Sequence, residues 1–498
     1  MIWKFALAGL IVVALATPVR AGRDVTDSDS AEPRDIDNGD RHVAAAVAWA
    51  GLELALPAWY YWHTKADQVV DWTRPSWKDK VTLRAVRFDT NGFFTNGIRH
   101  PFAGAGDYQI ARSNGFGMLE STLFAYLAGV VWEFLIEYYE DPSLNDLIMN
   151  GAAGLAIGEP FYQVGQLWRG AEPSPLERMY TAAFSPFAVT QDLWRSHRSW
   201  QRQKAFRDFA FTVGAVGHRL DDGTSRHELA LGAGVDVVHH PGFVVPGAHA
   251  GWIAPGAWSR IAFGLRLSDS GAGTQLAAVT LRTHTTITGT YTQDDAGNGR
   301  LLALGTAFTY RRTQLAHELD HVAIAHLLGP QLQLSKRGGE TELRWDLAAY
   351  ADFGLIDAHV FGPKSPLPPP PPYLSTLQAQ GYYDAGGVSI ESRVHANHGA
   401  WHADLELTGH RLWSLDFADR VQPTADISRA AATATPAIPA TPHGVSDLRA
   451  YGHAEIGVRS GPWGVAATAD VVLRHGSWRD LARTTSDWAL GAVATANF

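Results

Sequence analysis

From Ala205 to the last residue the apolar side chains fall on every second position, and that period restricts the fold more than any other feature of the chain. In Glu228 to Val237 the set Leu229, Leu231, Ala233, Val235 and Val237 alternates with Glu228, Ala230, Gly232, Gly234 and Asp236. Arg260 to Ser268 and Glu342 to Ala349 repeat the pattern. A period of two places alternate residues on opposite faces of a strand. One face here is charged, with Arg260, Arg266, Arg282, His284, Glu342, Arg344, Asp346, His402, Asp404, Glu406, His453 and Glu455. Strands with an apolar and a charged face suit a barrel with lipid outside and a polar lumen. The competing fold is a soluble β-sandwich. About twelve such runs begin near residues 205, 227, 257, 276, 301, 319, 341, 377, 400, 447, 463 and 487. An even number agrees with a bacterial outer-membrane barrel. Charged residues make up 18% of the chain, below the usual quarter, while Gly (49) and Trp (18) are frequent, again as in such barrels.

The two ends of the chain agree with export to that membrane. Residues 1–21 carry Lys4, an apolar run from Phe5 to Ala16, and Val19 and Ala21 before a cleavage point, the pattern of a secretory signal peptide. Residues 22–41 are acidic and polar and read as a flexible leader. The last residue, Phe498, closes a strand of alternating Trp488, Leu490, Ala492, Ala494 and Ala496. This resembles the terminal aromatic signal that the barrel assembly machinery recognises. Cysteine is absent, so disulfides and thiolate chemistry are excluded. A net charge of −9, from 41 basic and 50 acidic residues, argues against a nucleic-acid partner. The proline run Pro363 to Pro372 and the Ala/Thr/Pro segment Pro423 to Pro442 read as long loops.

Residues 42–204 have helical spacing instead. Apolar residues of Met118 to Tyr139 would suit a membrane, but Glu120, Glu133 and Glu137 are costly in lipid, so a buried soluble helix is expected. Ser121, Ala125, Ala128 and Gly129 form a stripe of small residues on it. Asp141-Pro142 ends it, and Ser143 caps the next helix, with Asp146 at the position of a capping box. Gly151, Gly154 and Gly158 inside that helix each cost about 1 kcal/mol relative to alanine. They make sense where a second helix packs on bare backbone. The fold expected is therefore α+β: a helical periplasmic domain over 42–204, then an antiparallel transmembrane β-barrel of about 12 strands over 205–498.

The helical half gathers carboxylates in apolar surroundings. Glu133 and Glu137 are one turn apart and share a face, Asp146 and Asn150 have the same spacing, and His100 lies in the preceding loop. A polar or binding site of His100, Glu133, Glu137, Asp146 and Glu159 is one reading, with oxygen-rich ligands of the kind Mg, Ca or Mn prefer. The other is that these groups cap helices and make buried hydrogen bonds, and the cap at Ser143 favours it. No metal is assigned, and nothing in the sequence specifies a cofactor.

The stretches NGIRHPFAGAGDY (Asn96 to Tyr108), Ala111-Arg112 with Gly115, Trp132-Glu133 with Glu137, Glu140-Asp141-Pro142-Ser143, Asn145 to Ile148, Gly154 and Gly158-Glu159 resemble an uncharacterised bacterial envelope family, the domain of unknown function 3943 (DUF3943). The resemblance covers about residues 88–168 and implies an envelope location but no reaction.

Two motifs remain. His317-Glu318-Leu319-Asp320-His321 matches H-E-x-x-H in letters. The zinc-protease motif works only on a helix, and the surrounding period is that of a hairpin, so a turn at the barrel rim is expected. Outer-membrane lipid hydrolases place Ser and His on a barrel; Ser259 and His284 are of that type, but no spacing singles them out. The sequence thus supports a non-enzymatic outer-membrane barrel with a helical cap or plug. The alternative is an outer-membrane enzyme acting on lipid or lipopolysaccharide. The expected partners are outer-membrane lipid, the barrel assembly machinery and a periplasmic protein.

Overall fold

A computed structural model of the chain describes residues 41–65, 74–89, 91–169, 173–194, 206–239, 247–269, 274–362, 376–415 and 444–497. The expected signal peptide, most of the expected leader, the two expected long loops and Phe498 lie outside the described residues.

Helices occupy the first half: α1 (Val43–Tyr60), α2 (Trp77–Val81), α3 (His100–Ser113), α4 (Met118–Val131), α5 (Leu144–Ile148), α6 (Gly154–Gln166), α7 (Pro175–Phe184) and α8 (Pro186–Trp194). Single π-helical turns extend α1 and α4, precede α3, and join α5 to α6. Ser143 accepts from the Asp146 amide as the cap of α5, and Ser174 does the same from Glu177 for α7. α3 and α6 cross where both lack side chains. A Cβ on Gly154 would strike the Gly104 backbone, and one on Gly104 the Asn150 backbone. The small-residue stripe of α4 is also buried, at Ser121, Ala125, Ala128 and Gly129.

Strands occupy the second half: β1 (Phe206–Arg219), β2 (Ser225–Val238), β3 (His249–Ile253), β4 (Trp258–Asp269), β5 (Thr274–Gln293), β6 (Gly299–Gln314), β7 (Leu319–Gly338), β8 (Thr341–Asp357), β9 (Tyr382–His398), β10 (Trp401–Ser414), β11 (Ser446–Ser460), β12 (Trp463–Trp478) and β13 (Leu481–Asn497). All pairings are antiparallel; β1 pairs with β13 and β5 with β6, so twelve strands close into a barrel. The five-residue β3 is extra, filling the edge of β5 beyond the end of β4. A segment that short shows too few alternations to be seen in sequence, and it falls outside the twelve expected runs. Both ends of the barrel chain, Phe206 and Asn497, lie at one rim, the near rim.

The register assigns the faces. Asp236 lies opposite Arg260, and Arg260 opposite His284, so these point into the lumen. Neighbouring residues point outward. One outward row runs strand to strand through Phe209, Val235, Ile261, Thr283, Phe308, Ala325 and Phe353. These residues are nearly all sealed; Phe308 is 0% exposed. They share one core with Met149, Ala156, Ile157 and Trp168 of the helical half.

The helical domain therefore lies against the outer wall of the barrel, and the expected plug or end cap is corrected. The physical reason is a match of surfaces: the inner face of α6 is apolar, and so is the outward row, whereas the lumen is charged. The expectation that Met118 to Tyr139 is a buried helix is corrected too. Leu119, Leu123 and Leu127 are 69%, 59% and 55% exposed, while Glu133 is the residue turned inward.

Candidate functional site

Two separate groups of buried polar residues stand out in the helical half. The first is built around Asp89, which the sequence reading did not single out. Its carboxylate accepts from Asn96 Nδ2 at 2.5 Å, from Asn145 Nδ2 at 2.9 Å and from Asn91. Its own amide donates to Asn145 Oδ1 at 3.0 Å, and Ser143 Oγ donates to the same oxygen at 2.7 Å. Glu133 Oε2 accepts from the Ser143 amide at 2.7 Å. His100 Nε2 lies 3.1 Å from Asp146 Oδ2, and its Nδ1 lies 3.4 Å from Asn150 Nδ2. The amide group can only donate there, so the imidazole proton sits on Nε2 and points at Asp146.

Burial lowers the His100 pKa, against the upward pull of Asp89. Burial raises Asp146 well above the usual carboxylate range, and Asp89 and Glu133 push it the same way. In both side chains the low dielectric disfavours the charged form. Asn96, Glu133, Asn145 and Asp146 are 0–1% exposed, whereas Asp89 and His100 are half-buried and Asn91 is exposed. The outward connections of this group run to the barrel. Asn96 Nδ2 reaches Tyr382 Oη at 3.1 Å, Tyr382 Oη donates to the Asn91 carbonyl at 2.6 Å, and Thr376 Oγ1 donates to the Asp89 carbonyl at 3.1 Å. Phe88 stacks on Phe353 with centroids 6.0 Å apart, and Phe93 on His321 at 4.8 Å. The cluster is a latch to the far rim of the barrel.

Of the five sequence candidates, the structure brings His100, Glu133 and Asp146 into this network. Glu137 is half-buried, and its carbonyl accepts from the buried Lys80 at 3.2 Å. Glu159 belongs to the second group, near the other rim. Arg112 grips it through Nε at 2.9 Å and Nη2 at 3.1 Å, Tyr108 Oη donates at 2.5 Å and Gln163 Nε2 at 2.6 Å. Gly256, on the β2–β4 connection of the near rim, sits against this carboxylate with φ +76. The carboxylates thus have separate partners, and Glu133 Oε1 and Asp146 Oδ1 are buried without a hydrogen bond. Among the described residues no three His, Asp or Glu side chains converge as a metal site.

Thr283 makes the third contact with the wall, also missed in sequence. Pro160 inside α6 has no N–H, so the Ala156 carbonyl lacks its intrahelical donor. Thr283 Oγ1, on the outward face of β5, donates to that carbonyl at 2.6 Å. Ser259, once a hydrolase candidate, is on the same face and bonds Thr285 and the Gly256 carbonyl beneath the helices.

The lumen is crossed by ion pairs between strands four or five places apart in the ring. Arg266 meets Asp470 at 2.5 Å, Arg282 meets Glu391 at 3.0 Å and also Glu406, and Asp320 holds Arg449 at 2.6 Å and Arg474 at 2.8 Å. Toward the far rim a short 3-10 turn, His359–Phe361, fills the lumen, with Val360 against Gly476. Toward the near rim Trp258, Tyr291 and Leu301 pack together. A cavity of about 80 Å³ remains between Arg260, Arg282, His284, Asp346 and Glu391, room for a few waters. Ser389 Oγ lies 2.6 Å from His410 Nδ1 and also contacts Asp352, which bonds His326. These groups resemble a hydrolytic set in type, but all are sealed inside the lumen, with Ser389 and His410 1% exposed. His317 and His321 do not share a face. His317 is in the turn before β7, while His321 points outward from it and bonds Asp357.

The model of a domain of unknown function (DUF3943) matches residues 85–187, which hold the helical side of the latch, the Arg112–Glu159 pair and Pro160. No curated protein matches the chain. Among solved structures, the translocator domain of the autotransporter NalP from Neisseria meningitidis is similar over 62% of this chain and 92% of its own, at 11% identity and a TM-score of 0.21. The β domain of the Bordetella autotransporter BrkA is similar over 58% and 99%, at 9% identity and a TM-score of 0.24. OccK2 of Pseudomonas aeruginosa is similar over 59% and 98%, at 12% identity and a TM-score of 0.16.

Proposed function

We propose that this protein is a closed, non-enzymatic barrel of the outer membrane, exported by its N-terminal signal, inserted by the barrel assembly machinery, and serving to hold the helical domain on its wall. The observation that carries the reading is the lumen. Among the described residues, arginine–carboxylate bridges from distant strands span the lumen and apolar side chains pack toward each rim, which supports a lumen closed to solutes. Outward Trp401 and Trp463 near one rim and Trp413 near the other, with Leu405, Leu407 and Ile456 between, support a lipid-facing wall with aromatic girdles. The conserved chemistry of a lipid hydrolase would need its nucleophile on that wall, and the Ser389 group is inside.

The test is conductance in planar bilayers. The purified barrel should insert without steady current, and the pair Arg266→Ala with Arg282→Ala should introduce a leak. Steady open-pore steps from the unaltered protein would overturn the closed-barrel reading.

A further inference from the structure

The outward row covered by helices is not confined to one end of the barrel. On β1 and β2 it passes through Phe209 and Val235, three residues from the near-rim ends of those strands. On β8 it passes through Phe353, four residues from the far-rim end. Strands in a barrel are tilted, so a hydrogen-bonded row climbs as it goes round. The helical domain follows that climb, touching the near rim through Glu159 and Gly256 and the far rim through Asn91 and Tyr382. A domain spread over the full height of a membrane-spanning wall lies at the depth of the bilayer.

Its outer surface has the matching chemistry. α1 turns Val43, Val47 and Leu56 outward, 56%, 59% and 63% exposed. α4 turns out Leu119, Leu123 and Leu127. The apolar stretches Val43–Thr64 and Met118–Ile136 have 22 and 19 residues. At 1.5 Å per residue they are roughly 33 and 28 Å long, close to the ~30 Å of a bilayer's hydrocarbon. The charges that seemed to forbid this are elsewhere. Glu133 faces inward to Ser143, Glu53 faces Asp107, and Glu120 is at the start of α4, paired with Arg41 at 2.8 Å. The two helices have level ends. Arg41 and Glu120 join the starts, and at the other ends Trp62 stacks on Tyr138 with centroids 5.1 Å apart. Polar groups at one level and aromatic rings at the other are the marks of membrane interfaces.

We infer that α1 and α4 are embedded in the outer membrane beside the barrel, with their exposed leucine faces covered by lipid acyl chains. This rests on the reading that the barrel spans the membrane. The apolar face continues onto the bare wall of β9–β13, where Ile390, Leu407 and Leu490 are 59%, 51% and 56% exposed. Lipid that covers one covers the other.

The cysteine-free chain gives a clean test. Single variants Leu56→Cys, Leu123→Cys, Leu407→Cys and Asp222→Cys are labelled with an environment-sensitive fluorophore and reconstituted into phosphatidylcholine vesicles with brominated acyl chains. Labels at 56, 123 and 407 should lose at least half their emission, and the label at 222, in the far-rim turn, should not. Quenching at 407 without quenching at 56 and 123 overturns the inference and leaves the barrel in the membrane. The same holds if 56 and 123 instead form disulfide-linked dimers, which would show a second copy on that face. No quenching at 407 overturns the membrane barrel itself.

Discussion

Thr283 shows how one side chain joins the two halves. Removing its hydroxyl in Thr283→Val leaves a buried carbonyl without a donor, a loss of about 1–3 kcal/mol. The melting temperature of the detergent-solubilised protein should fall, and Thr283→Ser should restore it. Arg112 and Glu159 are a harsher case, because both side chains are 0% exposed. Glu159→Gln strands the guanidinium in the interior, and breaking a buried pair from one side costs about 3–5 kcal/mol. It should lower the melting temperature more than Thr283→Val does; a smaller drop would mean that Tyr108 and Gln163 carry the site without the charge. At this scale the sequence was half legible. Ser143 as a cap and the carboxylates in apolar surroundings are visible as letters. Their partners are not: Thr283 is 127 residues from Ala156, and Tyr382 is 286 from Asn96. Asp89 is not marked by the helical spacing, although its position two residues before Asn91 offers a local side-chain to backbone turn that the letters do show.

Among the elements, the helices depend on contacts that only glycine permits. Gly154→Leu would drive a side chain into the Gly104 backbone and separate α6 from α3. α6 also carries most of the face that meets the wall. The variant should keep a folded barrel yet lose protection of the helical half, so trypsin should release a barrel-sized fragment that the unaltered protein does not yield. Survival of the whole chain would show that the crossing is dispensable. The strands were legible because a period of two is written on both faces of each. The π-helical turns were not, since one extra residue per turn barely disturbs an apolar pattern. The small-residue stripes of α4 and α6 correctly announced close neighbours, but not which ones.

On the scale of the whole molecule, closure of the sheet through β1 and β13 leaves the barrel wall no free edge. The unheated protein should therefore run faster than the boiled one on a denaturing gel, and identical mobility would argue against a stable barrel. The sequence could not show which side of the wall the helices take. Ile261 and Phe308 suit an acyl chain and a helix equally well, and the period that marks them as outward says nothing about what covers them. That placement has a consequence in time. The helical half is made first, yet the Ala156 carbonyl finds its donor, and Phe88 its stacking partner, only on strands that have no fixed position until the sheet closes. The part of the chain that begins earliest is the part that must be finished last.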